Sequence, residues 1–389
     1  MIVGLVMERI EPWRGGAETS TKQFVQHLIK LGVKLEVVTR SRLPSTPSMH
    51  VHTLKANGAT RAGRSAAFAR AARQLLARAQ VDLMHAVSPC VGADVYQPRG
   101  GTVVETVARN LALRSGPTGR SIKRLANRFN RRQRLMLDLE RQLLGPASDT
   151  TIIALSDYVV RQLTEHYDVP LSRIRKIFNG VDDDSADDAT RSAHRKDIRR
   201  AYGVSDDALL VLLVAHNFKL KGVGRWLEAL ARLRESPGPE IQSLVVGKDH
   251  PVRWQRQAAS LGVGDRVQFV GSTKRVQAFY HAADVLVHPT YYDPCSRVVL
   301  EGMVSGLPCI TTGYDGSSEQ ITDGVNGLVL PEPGDVAGLA DRVQQICDAE
   351  LRRRLGGQAR RVIETASMHG HARQVVALYQ ELAGRRATI

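Results

Sequence analysis

Runs of consecutive apolar residues alternate along the chain with longer segments in which apolar residues recur at helical spacing. In the first 180 residues the runs are IVGLVM, KLEVVT, VDLMHAV, TIIALS and RIRKIF, and the helical patterns cover 17–31, 61–80 and 120–144. Runs without alternation fit parallel strands buried on both faces. The order restarts after residue 180: LLVLLVA, IQSLVVG, VQFVG, VLVHP, PCITT and GLVL alternate with helical stretches at 222–235, 252–261, 274–282 and 297–305. Between the two series, NGVDDDSADDATRSAH is polar and acidic, lacks an apolar period and reads as a linker. The pattern predicts an α/β protein of two Rossmann-like domains, residues 1–180 and 181–365, whose parallel sheets face one another across a cleft. Ligands of such sheets sit at the carboxyl ends of the strands.

The 389 residues suffice for two domains with their own cores, and 43% hydrophobic content is that of a globular protein. The four cysteines, at 90, 295, 309 and 347, show neither paired nor CxxC spacing, so a reducing compartment is expected and no zinc site. The opening MIVGLVMERIEPW meets Glu8 and Arg9 too early for a signal peptide, and no window reaches membrane-spanning length. A cytoplasmic location is therefore expected. Charge changes the picture once it is divided. Residues 1–180 hold 28 Lys+Arg and 13 Asp+Glu, leaving 54−28 = 26 and 39−13 = 26 for the rest, so the entire excess of +15 lies in the first half. That asymmetry calls for an anionic partner there.

Residues 291–301, YYDPCSRVVLE, follow the strand DVLVHP and place Asp293 eight positions before Glu301. If both lie on one buried helix, they share a face about 12 Å apart along the axis, and each can hold one end of an elongated polar ligand. The first amides of that helix, from Ser296 to Val298, would then bind an anion between them. A sugar–diphosphate–ribose molecule has this layout. As helix N-cap, Asp293 would have a purely structural use; Glu301 inside VVLEGMV needs a partner in any case.

At these residues the chain resembles the family 4 retaining glycosyltransferases, which have the GT-B fold and an E-x7-E signature, here D-x7-E. The resemblance continues through LVHPTYYDPCSRVVLEGMVSGLPCITTGYDGSSEQITDGVNGLVLPEP to the Asp-Gly-x-x-Gly turn. It implies that Asp293 contacts hydroxyls of the donor sugar and that Glu301 grips the nucleotide ribose. It also implies an acceptor-binding first domain, a donor-binding second domain and a C-terminal helix, 366–389, crossing back toward the first. Lys221, opening a helix after LLVLLVA in HNFKLKG, matches the family lysine that neutralises the diphosphate. Gly15 and Gly16 match the turn facing the donor phosphates. Gly313, Gly316, Asp315 and Glu319 fall where the family places a turn against the sugar.

Two departures stand out. His216 occupies the place of a family arginine, leaving Lys219 and Arg297 as candidates for the missing charge. The usual histidine near the sugar is replaced around DVYQPRGGT by Arg99 or Gly100, with His85 as a candidate substitute. The stretch 81–105 is most similar to lipopolysaccharide core glucosyltransferases, which share DVY and also lack that histidine. The expected catalytic residues are Asp293 and Lys221. The expected donor site comprises Gly15, Gly16, Lys219, Lys221, Asp293, Ser296, Arg297, Val298 and Glu301, with no metal and no cofactor beyond the nucleotide sugar.

Residues 114–134, RSGPTGRSIKRLANRFNRRQR, are dense in arginine and contain no acid, with Leu125, Phe129 and Leu135 at helical spacing. Such a segment fits docking on an anionic membrane surface. A single aromatic in the run argues against stacking on nucleic acid. The expected activity is retaining transfer of a hexose, from a UDP-linked donor, to a glycolipid or polysaccharide acceptor at the inner membrane face. The alternatives are a nucleotide-sugar epimerase on the same fold, a non-catalytic relative and a basic nucleic-acid-binding protein.

Overall fold

The computed structural model describes residues 1–9, 16–55, 60–113, 116–128 and 130–387. The chain forms two compact units, one made of Met1–Gly180 with Met368–Ile389 and the other of Val181–Ser367. Gly15, Phe129 and the first two residues of the basic segment, 114 and 115, lie outside the described residues.

The first unit runs β1 (Ile2–Val6), α1 (Gly16–Lys30), β2 (Lys34–Thr39), β3 (Met49–Thr53), α2 (Arg61–Arg78), β4 (Leu83–Ala86), β5 (Val95–Tyr96), α3 (Val103–Ala112), α4 (Gly116–Arg128), α5 (Arg131–Leu144), β6 (Thr151–Ala154), α6 (Asp157–Tyr167) and β7 (Ile174–Lys176). All seven strands are parallel, in the order β3-β2-β1-β4-β5-β6-β7. Because side chains alternate across a strand, β1 feeds both faces. Val3 and Leu5 pack with Phe24 and Leu28 of α1, whereas Val6 packs with Phe68, Ala72 and Leu76 of α2. The C-terminal helix Met368–Ala387 completes the first face, burying Ala372, Val375, Leu378 and Tyr379 in the same cluster as Val3 and Leu5. The helical stretch expected over 120–144 is two helices, the second capped at Asn130, whose side chain accepts from the Gln133 N–H.

The second unit runs α7 (Asp188–Ala201), β8 (Leu209–Val214), α8 (Val223–Leu233), β9 (Ile241–Val246), α9 (Val252–Ser260), β10 (Val267–Gly271), α10 (Val276–Ala282), β11 (Val285–Val287), α11 (Arg297–Val304), β12 (Cys309–Thr312), β13 (Leu328–Leu330), α12 (Val336–Ile346) and α13 (Ala349–Ala359). Its parallel sheet has the order β10-β9-β8-β11-β12-β13. In both sheets the strand order reverses beside the first strand, so each has a topological switch point, between β1 and β4 and between β8 and β11.

The linker reading fails over residues 188–194, which form the first half of α7. This helix has almost no apolar face to reveal it. It is held by charge instead: Arg199 is 2% exposed and donates to Asp284 and to the carbonyls of Ser205 and Ala208, while Arg195 also pairs with Asp284. Asp284 in turn accepts the Leu210 N–H at 2.7 Å, tying β8 to the start of β11. Burial of such an arginine is tolerable because both Nη groups meet acceptors, while Nε, which makes no hydrogen bond, has the Asp206 carboxylate 4.0 Å away.

One close approach sets the loops at the second switch point. Gly222 has φ +72° and a Cβ there would stand 2.0 Å from the Pro289 carbonyl oxygen. Tyr291 N–H donates to the Leu220 carbonyl at 2.8 Å, stitching the same two loops together. Gly222→Ala therefore adds a backbone clash to the roughly 1–2 kcal/mol of left-handed strain. Thermal unfolding should show a midpoint lowered by about 4 °C or more. Gly32→Ala, at φ +82° with open space around it, carries the strain alone and should lower the midpoint by clearly less. Equal losses in the two variants would refute the close-approach argument.

Candidate active site

The second switch point gathers the residues on which the sequence analysis turned. Lys221 follows β8 and Asp293 follows β11, and the Lys221 Nζ donates to Asp293 Oδ2 at 2.5 Å and to the Tyr292 carbonyl at 3.1 Å. Both side chains are mostly covered, 17% and 18% exposed, so the ion pair is only weakly screened. Asp293 Oδ1 accepts the Cys295 N–H, and the imidazole of buried His288 stands 3.8 Å from Oδ2. Burial opposes ionisation of Asp293, but Lys221 and His288 outweigh it and hold the carboxyl well below the usual range.

Asp315 is fully buried behind this pair. Its Oδ1 accepts the amides of Ser296 and Ser317, and its Oδ2 accepts the Thr311 hydroxyl at 2.8 Å. Asp293 N–H donates to the Tyr314 carbonyl, and Gly316 N–H returns a bond to the Asp293 carbonyl, which locks the two acid-bearing turns side by side. Burial first, then the charge of Asp293, push the Asp315 carboxyl above its usual range.

The helix carrying Glu301 begins at Arg297, with Ser296 as N-cap. Asp293 therefore lies in the turn before the helix, and the expectation that both acids share a helical face, about 12 Å apart by helix rise, is corrected. Asp293 is also not the N-cap. Of the amides expected to bind an anion, that of Ser296 is engaged by Asp315, so the expected run from Ser296 to Val298 is not wholly available. Glu301 has the partners its position demanded: Arg297 Nη2 donates to Oε1 at 2.8 Å and Tyr280 hydroxyl to Oε2 at 3.0 Å. With 27% of its side chain exposed, Glu301 retains a face for further donors. Arg297, proposed above as a replacement cation, is spent on Glu301 and is 7% exposed.

His216 does not replace the family arginine as a cation either. Partial burial and the charges of Lys248 and Lys221 hold its imidazole below the ordinary value, which disfavours the cation. Lys219 is half-buried in the same loop. Lys248, exposed just after β9, brings another positive charge close enough to act on His216. Sequence reasoning missed Lys248, Tyr280 and His288. Only His288 left a signal, as the polar residue ending the apolar run VLVHP.

In the first unit, Gly16 opens α1. His85 is completely buried, bonded to Tyr379 hydroxyl through Nδ1 and set edge-on to Phe24. Burial, with Arg99 and His371 nearby, drives its pKa down to about 3. It acts as a neutral tie between the sheet and the C-terminal helix, which answers the proposal that it substitutes for the family histidine. Arg99 lies across the Phe24 ring at 4.8 Å, bonded to Ser20 and Gln97. Among the described residues the four cysteines are free thiols.

Comparison with known proteins bears on the family and the fold. Residues 14–185 match the family Glycosyltransferase Family 4 and residues 194–362 match Glycosyl transferases group 1. The chain is a GT-B glycosyltransferase related to these families and acts on a nucleotide-sugar donor. It is 26% identical over 371 residues to the lipopolysaccharide glucosyltransferase WaaG of Escherichia coli K12, covering 95% of this chain and 96% of that one. The crystal structure of WaaG superposes with a TM-score of 0.80 at 24% identity, covering 97% of this chain and 99% of the other. Anabaena Alr3699/HepE, solved with UDP-glucose, superposes with a TM-score of 0.70 at 17% identity over the whole of both chains.

The two buried acids have opposite pH signatures. Asp293, with a depressed pKa, contributes stability that is present above the unfolded carboxylate pKa and is lost as pH falls through the folded value. Asp315, with a raised pKa, binds its proton more tightly when folded, so its contribution declines as pH rises from about 3.9 through the folded value. Asp315→Asn removes that decline while keeping an amide oxygen for Ser296 and Ser317. The melting temperature of the variant minus that of the wild type should increase with pH across this window. A difference that does not change with pH would refute the assignment.

Proposed function

We propose that the protein is a retaining hexosyltransferase that uses a UDP-linked sugar and acts on a glycolipid or polysaccharide acceptor at an anionic membrane surface. The observation that carries this reading is the convergence of Lys221, Asp293 and the Arg297–Glu301–Tyr280 group at the switch point of the second unit. In this reading Glu301 accepts hydrogen bonds from the ribose hydroxyls, its carboxylate already aimed by Arg297 and Tyr280. Asp293 accepts from hydroxyls of the donor sugar. Departure of the nucleoside diphosphate builds negative charge, which Lys221 stabilises from a fixed position, with Lys219 and Lys248 adding to the local field. Retention follows from the family resemblance, and the uridine base from the same source and from the UDP-glucose bound by HepE.

The acceptor side of the proposal rests on the basic segment. Among its described residues, Arg124, Leu125, Arg131, Arg132 and Arg134 are exposed, Leu125 by 59%. An apolar residue standing among exposed arginines suits an interface with anionic headgroups, worth about 1 kcal/mol per basic residue near the surface. No helix among the described residues is long and apolar enough to cross a membrane, so association would be peripheral. An epimerase would need the donor site but not this segment.

Lys221→Ala should lower kcat for sugar transfer or donor hydrolysis by about 10²–10³-fold, read as UDP release. Proton NMR of the product should show the anomeric configuration of the donor; inversion would refute retention. The wild type should co-sediment with phosphatidylglycerol vesicles at low salt, and not with phosphatidylcholine vesicles or at high salt. Arg124→Glu combined with Arg131→Glu should weaken that association; binding unaffected by charge or salt would remove the membrane reading.

A further inference from the structure

Away from the candidate active site, the edge of the first sheet carries a cluster that the glycosyltransferase reading does not use. β2 and β3 pair in parallel with Glu36 opposite His50 and Val38 opposite His52. His50 and His52 are two residues apart on β3, so their side chains leave the same face. Glu36 joins them: His52 Nε2 stands 2.6 Å from Glu36 Oε2, and the two imidazole rings are 4.5 Å apart at 69°. One ligand atom from each of the three residues can be chosen so that all lie within 4.8 Å of one another.

We propose that Glu36, His50 and His52 form a binding site for a borderline divalent transition-metal ion, with Zn²⁺ as the representative. Two imidazoles and one carboxylate are the donors this class of ion takes, leaving one position for water. Zinc bonds of about 2.0–2.2 Å in tetrahedral geometry set ligand atoms roughly 3.3–3.6 Å apart, so the 2.6 Å contact between His52 Nε2 and Glu36 Oε2 would open on binding and any pair near the 4.8 Å limit would close. His50 is the exposed member of the three, and so the side chain with most room to adjust. The backbone positions are fixed by the strand register, so little chain entropy is lost on binding. A bound ion would fasten the exposed edge strand to its neighbour, and stability would rise with free metal concentration by mass action. Glu36 and His52 alone make an ordinary hydrogen-bonded pair, and what distinguishes a metal site from that pair is the participation of His50.

The test is calorimetric titration of the chelator-treated full chain with ZnCl₂, alongside thermal melts with and without Zn²⁺. The wild type should show one saturable site and a higher melting temperature in Zn²⁺. His50→Ala leaves the Glu36–His52 pair in place and should weaken binding by at least about tenfold, since losing a direct ligand costs no less than losing an outer-shell partner. His369→Ala, a histidine outside the cluster, should bind as the wild type does. Mg²⁺ should give no saturable heat, because imidazole is a poor ligand for it. Absence of a saturable Zn²⁺ site, or equal affinity in His50→Ala, overturns the proposal.

Discussion

The ion pair between Lys221 and Asp293 is the interaction on which the second unit's switch point depends. It joins the loops after β8 and β11, the two strands between which the sheet reverses. Neither charge could stay in this half-buried place without the other, because a lone buried charge costs far more than a pair. The surrounding structure meets the same constraint. Gly222 gives up its side chain so that Pro289 can approach, His288 lies under Asp293, and Asp315 gathers the amides that hold the neighbouring turns. The pair also gives the unliganded site a defined state: Lys221 is neutralised by a carboxylate, and in the proposed mechanism a diphosphate competes for the same ammonium.

Glu301 shows how a carboxylate can be pre-aimed. Arg297 one turn earlier on the same helix and Tyr280 from α10 each take one oxygen. Burial and the adjacent Glu301 raise the tyrosine well above its ordinary pKa, so it remains a hydrogen-bond donor throughout the working pH range. Fixing the carboxylate before a ligand arrives removes the entropy cost of ordering it afterwards. The arginine departs from the expected pattern of diphosphate-binding cations, and its geometry explains the departure: it serves the second acid of the motif.

Much of the fold was legible because parallel strands buried on both faces are continuous apolar runs; β1, β2, β8 and β9 could be read within a residue or two. What was illegible lacked that signal. β3 is half-exposed at a sheet edge, β5 is two residues long, and α7 is held by arginine–carboxylate contacts rather than an apolar stripe. At the candidate site the sequence pointed to Lys221 and Asp293 through their match to the family motifs, and to Glu301 also as an acid inside the apolar run VVLEGMV. It could not give the start of α11, because Asp293 and Ser296 are both good caps and only the turn locked to Asp315 decides between them. Tyr280 and Lys248 come from other elements, and no local pattern connects them to the motif. His85 illustrates the converse: a histidine at a strand end looked chemically available, yet its contact with Tyr379, almost three hundred residues later, makes it structural.

The claim that Glu301 and its neighbours form the nucleotide site is tested most directly by isothermal titration of UDP into the wild type and Glu301→Ala, with circular dichroism to establish that both are folded. The account predicts one UDP per chain for the wild type and affinity reduced at least about tenfold in the variant, since a carboxylate accepting two hydroxyls contributes more than 1.4 kcal/mol. Equal UDP affinity in the two proteins, or no binding of any nucleoside diphosphate to the wild type, would contradict it.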